Sequence, residues 1–357
     1  MGCVVSKGQA GALTAKHLDE QDPEGVAEEG GPEPVMKTAA HETEVAEDGT
    51  ATRFNEALIF IKPHADTPKA KVFVEDFLAE KNIEILSEGD LTGSEIDKRG
   101  IIDEHYAHIA KVALRLAPAD IPISDDKKDA FTSTFGESWE EAIEDGKLVN
   151  LKTFEEDFDE ISLADIDRMW QSADLVKLKL APGTYVGYFA DQDRFVMNPF
   201  YASMRAVYTS SDARVTYYVV RFPEEQISWK DFRTKVIGAT DPTKAAPGSL
   251  RAAMCTEYKS LDLGKVPNVS ENGVHASAGP FEGLKERMVW TGAKVETDAF
   301  GKSLLEAGVK RSVLDSWLNN EIVDINGETD HAFDLLEEID SSTGIQLAVQ
   351  ASKAAKL

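Results

Sequence analysis

The chain has 357 residues, 42% of them hydrophobic, and a formal charge of −26. That length supports a substantial core in one embellished domain or two ordinary ones, and no run approaches the ~20 continuous apolar residues of a membrane span. The acidic balance, without a Lys/Arg cluster, excludes a nucleic-acid surface, and Cys3 and Cys255 alone exclude a disulfide framework and fit a reducing cytosol.

The start, MGCVVSK, places Gly2 after the initiator Met and Ser6 where N-myristoyl transfer favours a hydroxyl. One myristoyl chain binds a bilayer only marginally, so palmitoylation of Cys3 is the expected second anchor, at the cytosolic face of a membrane. Residues 1–53 carry Gly, Pro and Glu in place of apolar periodicity and read as an acidic, disordered tether.

ALIFIK (57–62) is an apolar run typical of a buried strand, and Asp66-Thr67-Pro68 after it suits a helix start. Val72, Phe73, Phe77 and Leu78 carry that helix, and IEIL gives a second strand. Ser94-Glu95-Ile96-Asp97 reads as the cap of a helical stretch running through EHYAHIAKVAL. Residues 113–195 interrupt the pattern with an acidic amphipathic stripe (Phe154, Phe158, Ile161, Ile166, Met169, Trp170) and a strand-like YVGYF. The alternation resumes with RVTYYVVRF (214–222), a helical SWKDFRTKVIG, a strand near Gly273-Val274 and the helix PFEGLKERMVW. LLEAGVKRSVLDSWL and AFDLLEEID then predict a helical extension over 292–357. The expected fold is α+β, a ferredoxin-like split βαβ sandwich with helices on one face of the sheet. The core would be discontinuous, 54–112 and 196–291, with an insertion at 113–195.

Several blocks in this order and spacing resemble nucleoside diphosphate kinase: IFIKP (59–63), EHY (104–106), NPFYASMRAVYTSS (198–211), IGATDPTKAAPGSLR (237–251) and NGVHASAGPFEGLKE (272–286). Thr240 precedes Arg251 by eleven residues, and His275 precedes Glu286 by eleven. The resemblance implies that His275 is a phosphorylated nucleophile supported by Glu286 and Ser277. It implies that Lys62, Thr240 and Arg251 hold phosphates, that Tyr106 sits over the reacting group, and that Asn272 with Lys62 meets the sugar. Phe200 would stack on the base beside Met204. A further phosphate arginine of the family aligns with Thr234; Arg233, one place earlier, takes the role if the local helix shifts by one residue. ATP and other nucleoside tri- and diphosphates are the implied partners. Mg²⁺ would enter through their phosphates without a metal site of the chain's own, and a homo-oligomer is implied. The family follows Lys-Pro with Asp-Gly, where this chain has His64-Ala65, and 255–271 lengthens a loop that in the family touches neighbouring subunits. A neutral imidazole attacks phosphorus near pH 7 when an acceptor holds its other nitrogen, which suits this residue set. The rival expectation is a nucleotide-binding scaffold or sensor of the same fold that has lost turnover.

Other motifs weigh less. His105 and His108, three apart on a helix, lack further ligands for a zinc site, DINGETD has its glycine in the wrong place for a calcium loop, and no P-loop pattern occurs.

Overall fold

The computed structural model describes residues 53–181 and 183–354; Gly2, Cys3 and nearly all of the tether lie outside them. The strands in chain order are β1 (Phe54–Ile61), β2 (Glu84–Thr92), β3 (Leu148–Asn150), β4 (Lys177–Ala181), β5 (Thr184–Phe189), β6 (Arg194–Met197), β7 (Arg214–Pro223), β8 (Val274–Ala276), β9 (Ile322–Ile325) and β10 (Glu328–His331). The main sheet runs β2-β7-β1-β8 with every neighbouring pair antiparallel. Its helix Pro68–Glu80 joins β1 to β2, and the helical turns between Trp229 and Thr256 join β7 to β8. Two strands that sandwich a third from the other half, each half with its own crossover helix, make this the ferredoxin-like α+β arrangement.

Contrary to the expectation of one covered face, both faces of the sheet are buried. Ala57, Ile59 and Ile61 pack with Val74, Leu78, Phe232 and Met254, whereas Leu58 and Phe60 pack with Ile96, Ile102, Tyr208 and Trp290. The reason is written in β1 itself. A central strand with apolar side chains at consecutive positions has no wet face to offer.

The helical stretch after β2 starts earlier and breaks sooner than its sequence suggests. Thr92, not Ser94, is the cap, in a reciprocal capping box with Glu95. Gly100, at φ 62°, ends that helix, and shorter turns, Ile101–His105 and Ala107–Ala110, follow. Only a residue tolerant of the left-handed region closes a helix so abruptly.

The region expected as an insertion builds a second sheet of order β3-β6-β5-β4, parallel only between β3 and β6. Helices Asp125–Phe135, Trp139–Glu144, Leu151–Asp157 and Leu163–Gln171 surround it, and the amphipathic stripe of Phe154 and Ile166 is buried there. The C-terminal part packs on helix Pro280–Thr291 through Phe281, which meets Phe300 and Trp317 at 5.0 Å between ring centroids. It is not wholly helical: β9 and β10 form a hairpin whose turn is Asn326-Gly327, at φ 57° and 88°. DINGETD is thus a tight hairpin turn. Among the described residues, no helix is long and apolar enough to cross a membrane.

Candidate active site

β8 pairs with the edge of β1 so that His275 lies opposite Phe60, and the two rings stack at 4.7 Å with 19° between planes. The chain then turns at Gly279, and Pro280, at the first helical position, starts helix Pro280–Thr291. Eleven residues of strand, turn and helix bring Glu286 back beneath the imidazole. Its Oε1 lies 2.6 Å from His275 Nε2, and its Oε2 accepts from Ser277 Oγ at 2.5 Å. Ser277 Oγ in turn accepts the Leu58 N–H at 2.9 Å, tying the group to β1. Burial opposes charge on Glu286, yet the facing His275, His105 and Ser277 hold its carboxyl below the usual range. A carboxylate that accepts the Nε2–H hydrogen bond fixes the tautomer and leaves the lone pair on Nδ1.

A cleft of roughly 240 Å³ opens beside the ring, lined by His275, Arg233, Thr240, Arg251, Glu282 and Glu337 among others. Arg251 is held by backbone: Nη1 donates to Gly238 O at 2.7 Å and Nη2 to Val274 O at 3.0 Å. Burial, then Arg233 nearby, lowers its pKa to about 10. Lys62 leaves the end of β1, its N–H donating to Gly273 O at 2.9 Å; burial, with Arg251 next, lowers its ammonium to about 8. Asn272 is 2% exposed; its Nδ2 donates to Thr240 O at 3.1 Å, and its Oδ1 has no partner among the described residues.

Arg233 reaches the cleft by the one-residue shift that the sequence left conditional. Phe232–Ile237 is a π-helical turn, and the Gly238 N–H donates to Arg233 O at 3.0 Å, five residues back. Such a turn carries one residue more than the α-helix, as functional sites frequently do. Thr234 faces solvent, its Oγ1 donating to Lys230 O at 2.6 Å.

His275, Glu286, Ser277, Arg251, Arg233 and Thr240 are therefore brought together, with Lys62 and Asn272 beside them. Phe200, Met204 and Tyr106 are not among the residues lining the cleft. Phe200 packs at 5.7 Å against both Trp170 and Tyr185 from the second-sheet region, and Met204 packs against the hydrophobic cluster of Phe154, Ile166 and Tyr201. Tyr106 lies edge-on to His105 at 4.6 Å and is hydrogen-bonded to Tyr208; burial pushes its phenol up.

Sequence reasoning passed over His105, paired there with His108. In the fold it meets His275 edge-on at 4.5 Å, with Nδ1 3.5 Å from Glu286 Oε1. Burial, then His275, lowers its pKa to about 3, so it is a neutral neighbour. Its place inside the EHY block (104–106) was the signal available; its partner sits in another block of the chain. His105, His275 and Glu286 offer three ligand atoms within 4.8 Å, but the short His275–Glu286 hydrogen bond takes the space an ion would need. Of the cleft's carboxylates, Glu337 is paired with Arg233, while burial, with Glu286 and Glu337 next, pushes Glu282 well above its usual range.

No family model matches the sequence, and no curated protein matches it. Among solved structures, a nucleoside diphosphate kinase from Encephalitozoon cuniculi is 14% identical, aligned over 68% of this chain and 92% of its own at a TM-score of 0.33. One from Aquifex aeolicus is 15% identical over 66% and 94%, also at 0.33. At that TM-score the likeness carries no argument, and the fold rests on the strand order.

Proposed function

We propose that this chain is a phosphotransferase of the nucleoside diphosphate kinase type, moving a terminal phosphate from a nucleoside triphosphate to a nucleoside diphosphate through phospho-His275. The observation that carries the reading is the His275 imidazole, fixed at Nε2 by Glu286 at 2.6 Å and set in a cleft with Arg251 and Arg233. The Nδ1 lone pair attacks the terminal phosphorus, the bond to the bridging oxygen breaks, and the diphosphate leaves. In the return step a terminal oxygen of the second diphosphate attacks the same phosphorus and the P–N bond breaks. Throughout, Glu286 accepts the Nε2–H hydrogen bond and stabilises positive charge on the ring, while Arg251, Arg233 and Lys62 offset charge on the phosphate oxygens. Mg²⁺ carried by the nucleotide neutralises phosphate charge. The cleft is smaller than the ~300–1,000 Å³ of typical ligand pockets, so it suits the phosphate chain, with the nucleoside outside.

Incubation with labelled ATP should leave an acid-labile, base-stable phosphate on the protein that His275→Ala abolishes; label that survives this substitution sinks the reading. The proposal includes attachment to the cytosolic face of a membrane through acyl chains on Gly2 and Cys3, which metabolic labelling of those two residues tests. A second reading, a nucleotide-binding scaffold without turnover, is favoured by the pairing of Arg233 with Glu337 and Glu338 and by the engagement of Phe200 with Trp170 and Tyr185. It predicts nucleotide binding without label on His275.

A further inference from the structure

The C-terminal part sends one loop into the cleft. Between Ala332–Leu335 and Ser341–Ala354 the chain passes Gly279 so closely that a Cβ there would lie 2.7 Å from Leu336 O. The Glu338 N–H donates to Ala278 O at 2.9 Å, three residues after His275, and Glu338 is held at φ 59°. A non-glycine residue in the left-handed region persists only where its surroundings fix it. From this anchored loop Glu337 and Glu338 both reach Arg233, Glu338 Oε1 lying 3.2 Å from Nη1 and Glu337 closer still. Arg251, by contrast, donates to backbone carbonyls and is paired with no carboxylate among the described residues.

The two arginines of the cleft thus differ in availability. An anion that needs Arg251 alone meets a cation ready to bind. An anion long enough to span both must also displace two carboxylates from Arg233, and that displacement offsets most of what the second contact contributes. We infer that Glu337 and Glu338 are specificity-determining residues of the cleft, holding down its affinity for phosphoanhydride chains while leaving its affinity for a single phosphate untouched. The inference rests on the reading of the cleft as a phosphate site. It gives the C-terminal part a role at that site: a bound di- or triphosphate is kept from sitting so tightly that it fails to leave.

The test uses calorimetry on the full chain with inorganic phosphate and inorganic pyrophosphate as probes. Glu337→Gln with Glu338→Gln should tighten pyrophosphate about tenfold, the size of effect expected for two partly exposed ion pairs, and leave phosphate within about twofold. With Arg233→Met in the background, the two glutamine substitutions should no longer favour pyrophosphate over phosphate, because the cation they release is gone. Unchanged pyrophosphate affinity overturns the inference. So does equal tightening of both anions, which would be a general effect of removing negative charge, or a gain selective for pyrophosphate that persists in the Arg233→Met background. Phosphate on His275, assayed separately, keeps the two readings apart. Selectivity set by the glutamates without phosphohistidine sinks the enzyme and spares this inference; phosphohistidine without that selectivity does the reverse, and failure of both anions to bind overturns this inference whatever the label on His275 shows.

Discussion

His64 stands where the chain leaves β1, and its Nε2 accepts the Gly273 N–H at 3.2 Å. With the Lys62 N–H on Gly273 O, this pins the segment before His275 to the end of the neighbouring strand. The family resemblance has Asp-Gly where this chain has His64-Ala65, and the accepting nitrogen shows what the histidine does there: it works only while unprotonated. Burial, helped by Lys62 and Lys265 and opposed by Glu271, lowers its pKa from 6.5 to about 4. The unfolded chain takes up a proton near pH 6.5 that the folded chain refuses, so this contribution to stability is complete above that pH and fades as pH falls toward 4. A gap of this size is worth about 3 kcal/mol. Urea midpoints of the wild type and His64→Gln should therefore differ most near pH 7 and converge as pH falls toward 4.5. A gap constant across that range would show that the imidazole contributes nothing through its protonation.

At the scale of elements, what could be read from sequence was whatever a short window contains. β1 holds the apolar run 57–61 and β7 the β-branched and aromatic run 215–220, and the Thr67-Pro68 start of helix Pro68–Glu80 is local chemistry, so each is legible in a short window. The second sheet lay half-hidden, because β3 and β6 are three and four residues long and pair across the helices between them. The Asn-Gly turn was in plain view, but an acidic DINGETD drew attention to metal ligation first. His105 was lost for a different reason: its role depends on a contact between blocks far apart in the chain. The π-helical turn at Phe232–Ile237 was the decisive local feature that periodicity could not give, since one extra residue changes which side chain faces the cleft. It also makes a discriminating prediction. Arg233→Thr combined with Thr234→Arg restores the family's arginine position in sequence, yet position 234 faces solvent. The swap should weaken pyrophosphate binding as much as Arg233→Thr alone, by roughly three- to tenfold, as judged by calorimetry. Recovery of affinity in the swap would mean that the turn relaxes to an α-helix and that the π geometry is not built in.

Over the whole molecule, Asp and Glu number 64 against 38 Lys and Arg, giving the formal −26, while the cleft gathers Arg251 and Arg233 beside His275, with Lys62 near Arg251. A polyphosphate approaching from solvent meets two fields of opposite sign and different reach. The repulsive one is the sum of the acidic surface and extends as far as screening permits, ~30 Å at 0.01 M salt but only ~8 Å at 0.15 M. The attractive one arises from a few cations with carbonyl and carboxylate partners and is felt only near the mouth. Salt in the physiological range removes most of the first and little of the second. The association rate of a fluorescent nucleoside diphosphate, followed by stopped flow, should therefore rise roughly three- to tenfold between 10 and 150 mM salt, opposite to the fall expected when an anion is steered to a basic protein. The dissociation rate, set by contacts inside the cleft, should rise less over the same range. An association rate that falls with salt would mean that the cationic cleft governs the approach from far out, and that the acidic surface is arranged away from its mouth.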